Sequence, residues 1–512
     1  MSDKSVEVIY DFLALHAGSK GDKLAAVESD IKLTYAALQQ KVDRLASAML
    51  AHGIQPGDRV ATLAPPGLDF WITYHATVSI GAIWMGLNPV YREHEFEYLL
   101  SDATPALVFS RSDFDKRNYT QELLDISQAP YYVSLDAEQR GAEHLDVFLA
   151  KGVNIDVLAN QRSKVSPEDT AVIVYTSGTT GQPKGAMLSH GAIVKLATEN
   201  ARWMDDDLES TIMSAVINHI GGLNNICMNV LAHGGKIIFF NRVDVEALAA
   251  IREQEHPTYL VSSPTGFMML METPDWHQRA GAIKLIVTGG AATPINILEA
   301  WQPYCSRIVS VYGQTETTGI VTRTDGNAVL EDVADTIGKP LPGADFKTIR
   351  ADGSTCDIDE PGELVMAGPY CMNGYFNKPQ ATDEAFTEDG YLRTGDIAYL
   401  REDGNYVFVG RIKEMFKSGG YNVYPLEIEQ AICEHPDVFL AAVFAVPDER
   451  FQEVGHAYVM PIPGKTVSEA DVKSLLKEKM ANYKVPKTFS VEESLPLLPN
   501  GKVDKQLLKS RL

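Results

Sequence analysis

The sequence predicts an α/β protein of at least two domains, and three observations carry that prediction. First, 512 residues and 56.2 kDa exceed what one hydrophobic core supports. Second, short apolar runs alternate with helical periodicity over roughly the first two thirds of the chain, which implies layered, mostly parallel sheets. Third, the texture changes twice. From about Gly338 to Phe376 short strands are broken by Gly, Pro and Asp, as in a small antiparallel or barrel-like subdomain. Near residue 411 a mixed α+β segment of about 100 residues begins. The expected division is a large N-terminal domain over 1–411, with its barrel-like subdomain at about 338–411, and a smaller α+β C-terminal domain over 412–512.

The elements follow in order. Leu38, Val42, Leu45 and Met49 recur at steps of four, three and four, which marks an amphipathic helix. Gly53 and Pro56-Gly57-Asp58 stop it, and Val60–Leu63 reads as a strand. A second helix is expected near Phe70–Ile80, and further strands at Ala171–Val174, Ile237–Phe240, Ile283–Val287 and Ile308–Val311. In the last segment a helix near Pro425–Glu434 precedes a strand near Phe439–Val446 and a helix near Val467–Met480.

Composition bounds the function. With 45% hydrophobic and 22% charged residues the chain has an ordinary soluble composition. A net charge of −23 disfavours nucleic acid and anionic membranes. Residues 413–512 are nearly neutral, with 13 Lys and Arg against 14 Asp and Glu, so the acidity lies in the larger domain. Five cysteines, an odd number without a C-x-x-C, argue for reduced thiols rather than a disulfide frame or a zinc site. No secretory leader opens the chain, and no apolar run approaches the ~20 residues that span a bilayer. A cytoplasmic monomer or homodimer without stable membrane insertion is expected. Ser510-Arg511-Leu512 is a minor alternative, a peroxisomal address if the source is eukaryotic.

Chemistry concentrates at residues 175–185, Tyr-Thr-Ser-Gly-Thr-Thr-Gly-Gln-Pro-Lys-Gly, directly after an apolar run. Glycines let backbone N–H groups approach an anion, hydroxyls add donors and Lys184 adds charge. The Walker spacing G-x-x-x-x-G-K-[ST] is absent. This string resembles the phosphate loop of the AMP-forming adenylating superfamily, which comprises acyl-CoA synthetases, luciferases and peptide-synthetase adenylation domains. Later motifs follow in the family order from about residue 30 to the C-terminus.

The resemblance implies ATP, coenzyme A and Mg²⁺ as co-substrates and cofactor, and a mobile C-terminal lid. It gives the nucleotide phosphates to Thr176, Ser177, Gly178, Thr179, Thr180, Gly181 and Lys184. It gives adenine contacts to Gly290, Ala291 and Ala292, and to Tyr312-Gly313-Gln314. Thr315 would meet the α-phosphate, and Glu316 with Thr176 would hold Mg²⁺. Asp396, in Thr394-Gly395-Asp396, would take the ribose hydroxyls, with Arg411 as a second contact. Lys502, in Asn500-Gly501-Lys502, matches the adenylation lysine, a cation that would bridge the attacking carboxylate and the α-phosphate. Lys413 matches the hinge of the lid, and Lys417, Gly419, Gly420 and Tyr421 match the segment that admits the thiol arm of CoA.

The acyl site is implied at Asn218, His219, Gly221, Gly222 and Asn225, with Gly289, Gly290 and Gly313. Here the sequence departs from the family pattern, because the residue before the characteristic histidine is often aromatic and is Asn218 here. Gly221 and Gly222 suggest room for a bulky group, and Asn224 and Asn225 suggest polar substituents. The expected activity is an acid–thiol ligase that forms acyl-AMP and then acyl-CoA from a medium-sized, aromatic or polar-substituted acid. The alternatives are an enzyme that loads an acyl carrier protein, an oxidative enzyme of luciferase type, and an ADP-forming ATPase.

Overall fold

The computed structural model describes residues 6–512 except 115, 127–130, 177–181, 205–207, 214–217, 241–244, 272–275, 277–282, 463 and 498–502, together with the side chains of 245–249. Two sheets build the larger part. One has seven strands among the described residues, and its last two, Thr170–Thr176 and Lys184–Ser189, are the only antiparallel pair described in it. The other has nine. Its centre is parallel and runs through Arg307–Gln314, Leu285–Gly289, Tyr259–Ser262, Ser210–Met213, Lys236–Phe239 and Leu24–Glu28, with antiparallel strands at both edges.

Helices Tyr35–His52, Leu68–Ser79 and His190–Trp203 share one apolar core with strands of both sheets. The first is set by its ends: the Thr34 hydroxyl accepts from the Ala37 N–H, and Gly53 closes the helix at φ +105°. Its buried stripe is Leu38, Val42, Leu45 and Met49, as the periodicity predicts. The expected strands at 60–63, 171–174, 237–240, 283–287 and 308–311 all occur; the last runs on to Gln314.

A four-stranded antiparallel sheet (Asp345–Ile349, Gly362–Ala367, Leu392–Leu400, Tyr406–Arg411) occupies the segment expected to be barrel-like. After Arg411 comes one short turn, Ile412–Glu414, and then an α+β lobe. Its sheet carries helices Pro425–Cys433 and Glu469–Lys479 around Ile428, Val443, Val459 and Leu476. Among the described residues no helix is long and apolar enough to cross a membrane.

Three histidines lie buried in the helical layer. Burial lowers the pKa of His16 to about 4, of His75 to about 3 and of His190 to about 4. An unfolded histidine titrates near 6.5, so below that pH the unfolded chain takes up protons that the native chain refuses. The stabilising contribution is complete above about pH 6.5 and is lost as pH falls, by about 2 kcal/mol per histidine at pH 5. Urea unfolding is expected to show a falling midpoint between pH 7 and pH 5, with the slope in His75→Phe reduced by about one proton.

Candidate active site

The phosphate segment is the connection of an antiparallel pair. Thr176 lies opposite Lys184, so residues 177–183 join two paired strands. Ser177, Gly178, Thr179, Thr180 and Gly181 lie outside the described residues. The stem is held from behind. The Tyr98 hydroxyl donates to the Pro183 carbonyl at 2.7 Å, and the Tyr175 hydroxyl donates to Asp102 Oδ2 at 2.7 Å. Lys378 Nζ lies 2.8 Å from the other Asp102 oxygen.

The strand Arg307–Gln314 brings the next group into place. Its register with Gly319–Arg323 shifts between Tyr312 and Gly313, a bulge that re-aims the side chains at the strand end. Gly313 is required there, since a Cβ would stand 1.8 Å from the Gly319 carbonyl oxygen. The Tyr312 hydroxyl donates to Asp396 Oδ2 at 2.7 Å and accepts from Gln314 Nε2 at 3.1 Å. Asp396 is buried and sits opposite Arg411 in an antiparallel ladder, with Arg411 Nε 3.4 Å from its Oδ1. Burial and then the adjacent carboxylate hold the Tyr312 phenol far above its usual pKa. Tyr312, Gln314, Asp396 and Arg411 are thus one connected cluster.

Beyond the bulge, Thr315–Thr317 makes a tight turn. Thr315 is buried, whereas Glu316 is half-exposed. Glu316 Oε1 accepts from the Tyr375 hydroxyl at 2.8 Å and from Thr176 Oγ1 at 3.4 Å. The structure therefore joins Thr176 and Glu316, residues 140 apart in sequence. Among the described residues Glu316 Oε2 takes no hydrogen bond or ion pair. One carboxylate with an open oxygen, beside a hydroxyl and a phosphate segment, fits Mg²⁺, which binds through one or two carboxylates plus phosphate oxygens.

Residues Gly221–Met228 form a π-helical turn, a geometry frequent at functional sites. His219 is exposed, and its Nδ1 accepts from the Gly221 N–H at 3.0 Å, so the neutral ring carries its proton on Nε2. A Cβ on Gly221 would stand 3.0 Å from that nitrogen. Gly221 is therefore needed by the histidine turn, not only as space for an acid. Gly222 is buried. Asn224 donates to the Thr318 carbonyl at 2.8 Å, and Asn225 Oδ1 accepts from the Ile320 N–H at 3.0 Å. Both amides tie the π-helical turn to the segment 318–320, while Asn224 Oδ1 is buried without a partner among the described residues. At Gly289 a Cβ would meet Val311 at 2.8 Å. Asn218 packs on Gly86, where a Cβ would lie 3.0 Å from its Cα. Among the described residues its Oδ1 is likewise buried without a partner.

Gly290 (φ +80°), Ala291 and Ala292 turn away from the strand Leu285–Gly289, and a 2.6 Å contact between the Thr288 and Thr293 hydroxyls closes the turn. Lys413 is exposed on the turn Ile412–Glu414. Gly419 and Gly420 form the two-residue turn of the hairpin Phe416–Ser418 and Tyr421–Val423, at φ +58° and +87°, which explains the pair on backbone grounds. Lys417, Gly419, Gly420 and Tyr421 are all exposed. Lys502 lies outside the described residues. Tyr375 is the functional candidate that the sequence did not reveal; only Gly374 before it, held at φ +124° against Thr382, signals a constrained segment.

Profile comparison gives the class of protein. The profile of the AMP-binding enzyme matches residues 13–376, and that of the AMP-binding enzyme C-terminal domain matches residues 427–502. The chain belongs to the AMP-binding enzyme family. It is 32% identical to the indoleacetate–CoA ligase of Aromatoleum aromaticum over 97% of this chain and 96% of that one. It is 31% identical to a feruloyl-CoA synthase of Amycolatopsis over 94% of each. The crystal structure of the anthranilate CoA ligase AuaEII in complex with anthranoyl-AMP superposes with a TM-score of 0.88 at 21% identity, covering 100% of this chain and 98% of that one; this likeness concerns the fold. The chain is an AMP-forming acyl-CoA synthetase, a ligase whose substrates are a carboxylic acid, ATP and CoA.

The two asparagine assignments separate by experiment. Asn225→Ala is expected to destabilise the fold by about 1–3 kcal/mol, because the Ile320 N–H loses its acceptor, and to leave the ranking of acids unchanged. Asn218→Ala is expected to change that ranking with little loss of stability, as read by denaturation and by a competition assay among acids.

Proposed function

We propose that this synthetase activates a medium-sized acid that carries an aromatic ring or a hydrogen-bonding substituent. The observation that supports this reading is Asn218, whose Oδ1 is a buried acceptor without a partner among the described residues, beside Gly86. A hydroxyl or N–H on the acid would satisfy it, and leaving it unmet would cost about 1–3 kcal/mol. Relatives that act on indoleacetate and form feruloyl-CoA are in keeping with such a substrate.

The roles follow from the residues. His219, with its proton on Nε2, would donate to the acid's carboxylate and orient it. Lys184 and the segment 177–181 would hold the phosphates. Asp396 and Arg411 would hold the ribose, and Tyr312 would present its ring to adenine. Thr315 and the adenylation lysine Lys502 would stabilise the charge that develops at the α-phosphate; one such contact is worth about 10²–10³ in rate. Thr176 and Glu316 would hold Mg²⁺, which draws negative charge off phosphate oxygens when bound. After pyrophosphate leaves, the C-terminal lobe would turn about Lys413. Lys417, Gly419, Gly420 and Tyr421 would then face the site to guide the thiol of CoA. In the conformation seen here they face solvent.

Half-reactions test the scheme. Lys502→Ala is expected to lose acyl-AMP formation about 10²–10³-fold while still converting supplied acyl-AMP to thioester; Gly420→Leu is expected to show the reverse. Equal loss of both halves in both variants would count against a lobe that serves them in turn. For the acid, a panel assayed by AMP release with and without CoA should favour aromatic or hydroxylated acids. Preference for acetate or for long unbranched chains would sink the substrate reading, and release of ADP would sink the chemistry.

A further inference from the structure

We propose that Tyr375 is a positioning residue that presents both Glu316 and Lys184 to the metal-bound triphosphate. The proposal rests on the reading of those two residues as groups for MgATP.

Tyr375 belongs to a segment without regular structure that stitches two parts of the site together. The Met372 N–H donates to the Glu316 carbonyl at 2.8 Å. The Asn373 N–H donates to the Met187 carbonyl at 2.8 Å, the Met187 N–H to Gly374 at 2.9 Å, and the Phe376 N–H to Gly185 at 2.8 Å. The strand that begins at Lys184 and the turn that carries Glu316 are therefore bridged through residues 372–376. Gly374 at φ +124° and the Thr382 hydroxyl, which accepts from the Tyr375 N–H at 2.8 Å, fix the direction of the side chain.

From that base the phenol does two things. Its hydroxyl donates to Glu316 Oε1 at 2.8 Å and leaves Oε2 open among the described residues. Its ring lies under Lys184, whose Nζ is 5.2 Å from the ring centroid, within the range of a cation–π contact. A phenol is a neutral donor, so Tyr375 satisfies one oxygen of the carboxylate without adding negative charge where phosphates must bind. A lysine or arginine could orient Glu316 equally well but would compete with the metal for its charge.

Two substitutions separate the hydroxyl from the ring. Tyr375→Phe removes only the donor, and Tyr375→Leu removes the ring as well. The measurement is equilibrium binding by titration calorimetry with AMP, with ATP in a chelator, and with ATP plus Mg²⁺. Tyr375→Phe is expected to weaken MgATP about tenfold while AMP and metal-free ATP bind as in the parent. Tyr375→Leu is expected to weaken metal-free ATP as well, about threefold. Pyrophosphate exchange should show the matching rise in the Mg²⁺ concentration needed for half-maximal rate. Equal weakening of AMP and MgATP in Tyr375→Phe would mean a merely structural tyrosine and overturns the proposal, as does parental binding of MgATP. Glu316→Gln is the control. If it keeps the parental preference for MgATP over metal-free ATP, the reading of Glu316 is wrong at its root and the proposal falls with it.

Discussion

An acidic protein that must draw in ATP and CoA has to manage its own carboxylates, and in this site phenols do so. Asp102, Glu316 and Asp396 each accept a hydrogen bond from a tyrosine hydroxyl, of Tyr175, Tyr375 and Tyr312, at 2.7, 2.8 and 2.7 Å. All three phenols have their pKa raised, with burial the largest cause and the partner carboxylate adding to it. They remain neutral donors, so they satisfy the carboxylates without adding charge or consuming a cation. Cations are then placed selectively. Lys378 pairs with Asp102 and Arg411 approaches Asp396. Among the described residues Glu316 pairs with none. That is the arrangement a divalent cation needs, since a fixed ammonium on Glu316 would occupy the charge the metal is to meet. Against a net charge of −23, local design at these three positions outweighs the global field at short range.

Close backbone approach is the second constraint. The bulge at Tyr312 and Gly313 brings Gly319 so near that no Cβ fits at Gly313. The turn at Glu316 follows from it, because the chain must reverse within Thr315–Thr317 to pair Gly319–Arg323 with the strand it has just left. The Asn225 carbonyl oxygen then caps the Ile320 N–H, and the Asn224 amide caps the Thr318 carbonyl. The π-helical turn that follows His219 is thereby pinned by two side-chain hydrogen bonds to the segment after the strand Arg307–Gln314.

Much of this was legible in the sequence, for reasons that also mark its limits. The strands at 60–63, 237–240 and 283–287 and the helices at 35–52 and 425–433 announce themselves because periodicity and caps are local properties. The pairing of Tyr312 with Asp396 and of Thr176 with Glu316 is not local, and only the family likeness could place those residues together. Glycines are ambiguous for a specific reason. At Gly221, Gly289 and Gly313 the missing side chain makes room for protein atoms, His219, Val311 and Gly319 respectively, and composition cannot tell that need from room for a ligand. The asparagines are ambiguous likewise, since an amide that caps backbone and one that meets substrate look alike in sequence. Tyr375 carried no signal because its partners lie 59 and 191 residues away, as Glu316 and Lys184.

The lobe that follows Arg411 is tied to its connecting turn by ion pairs. Lys505 Nζ lies 2.7 Å from Glu429 and 3.3 Å from Glu414. Burial acts to lower the pKa of Lys505, but the two carboxylates outweigh it and the net shift is upward. Glu414 is the last residue of the turn after Arg411 and is bound through Lys505 to the lobe itself. On the other side Arg411 is held in the ladder opposite Asp396. Any large rotation must therefore be absorbed between these two anchors, at Ile412 and Lys413, and it must also break or stretch the 3.1 Å bond from the Met415 N–H to the Arg411 carbonyl. The same lysine stands at the start of the terminal helix Lys505–Lys509, three residues after Lys502. The ion pairs of Lys505 thus tie the start of that helix both to the turn after Arg411 and to the helix Pro425–Cys433.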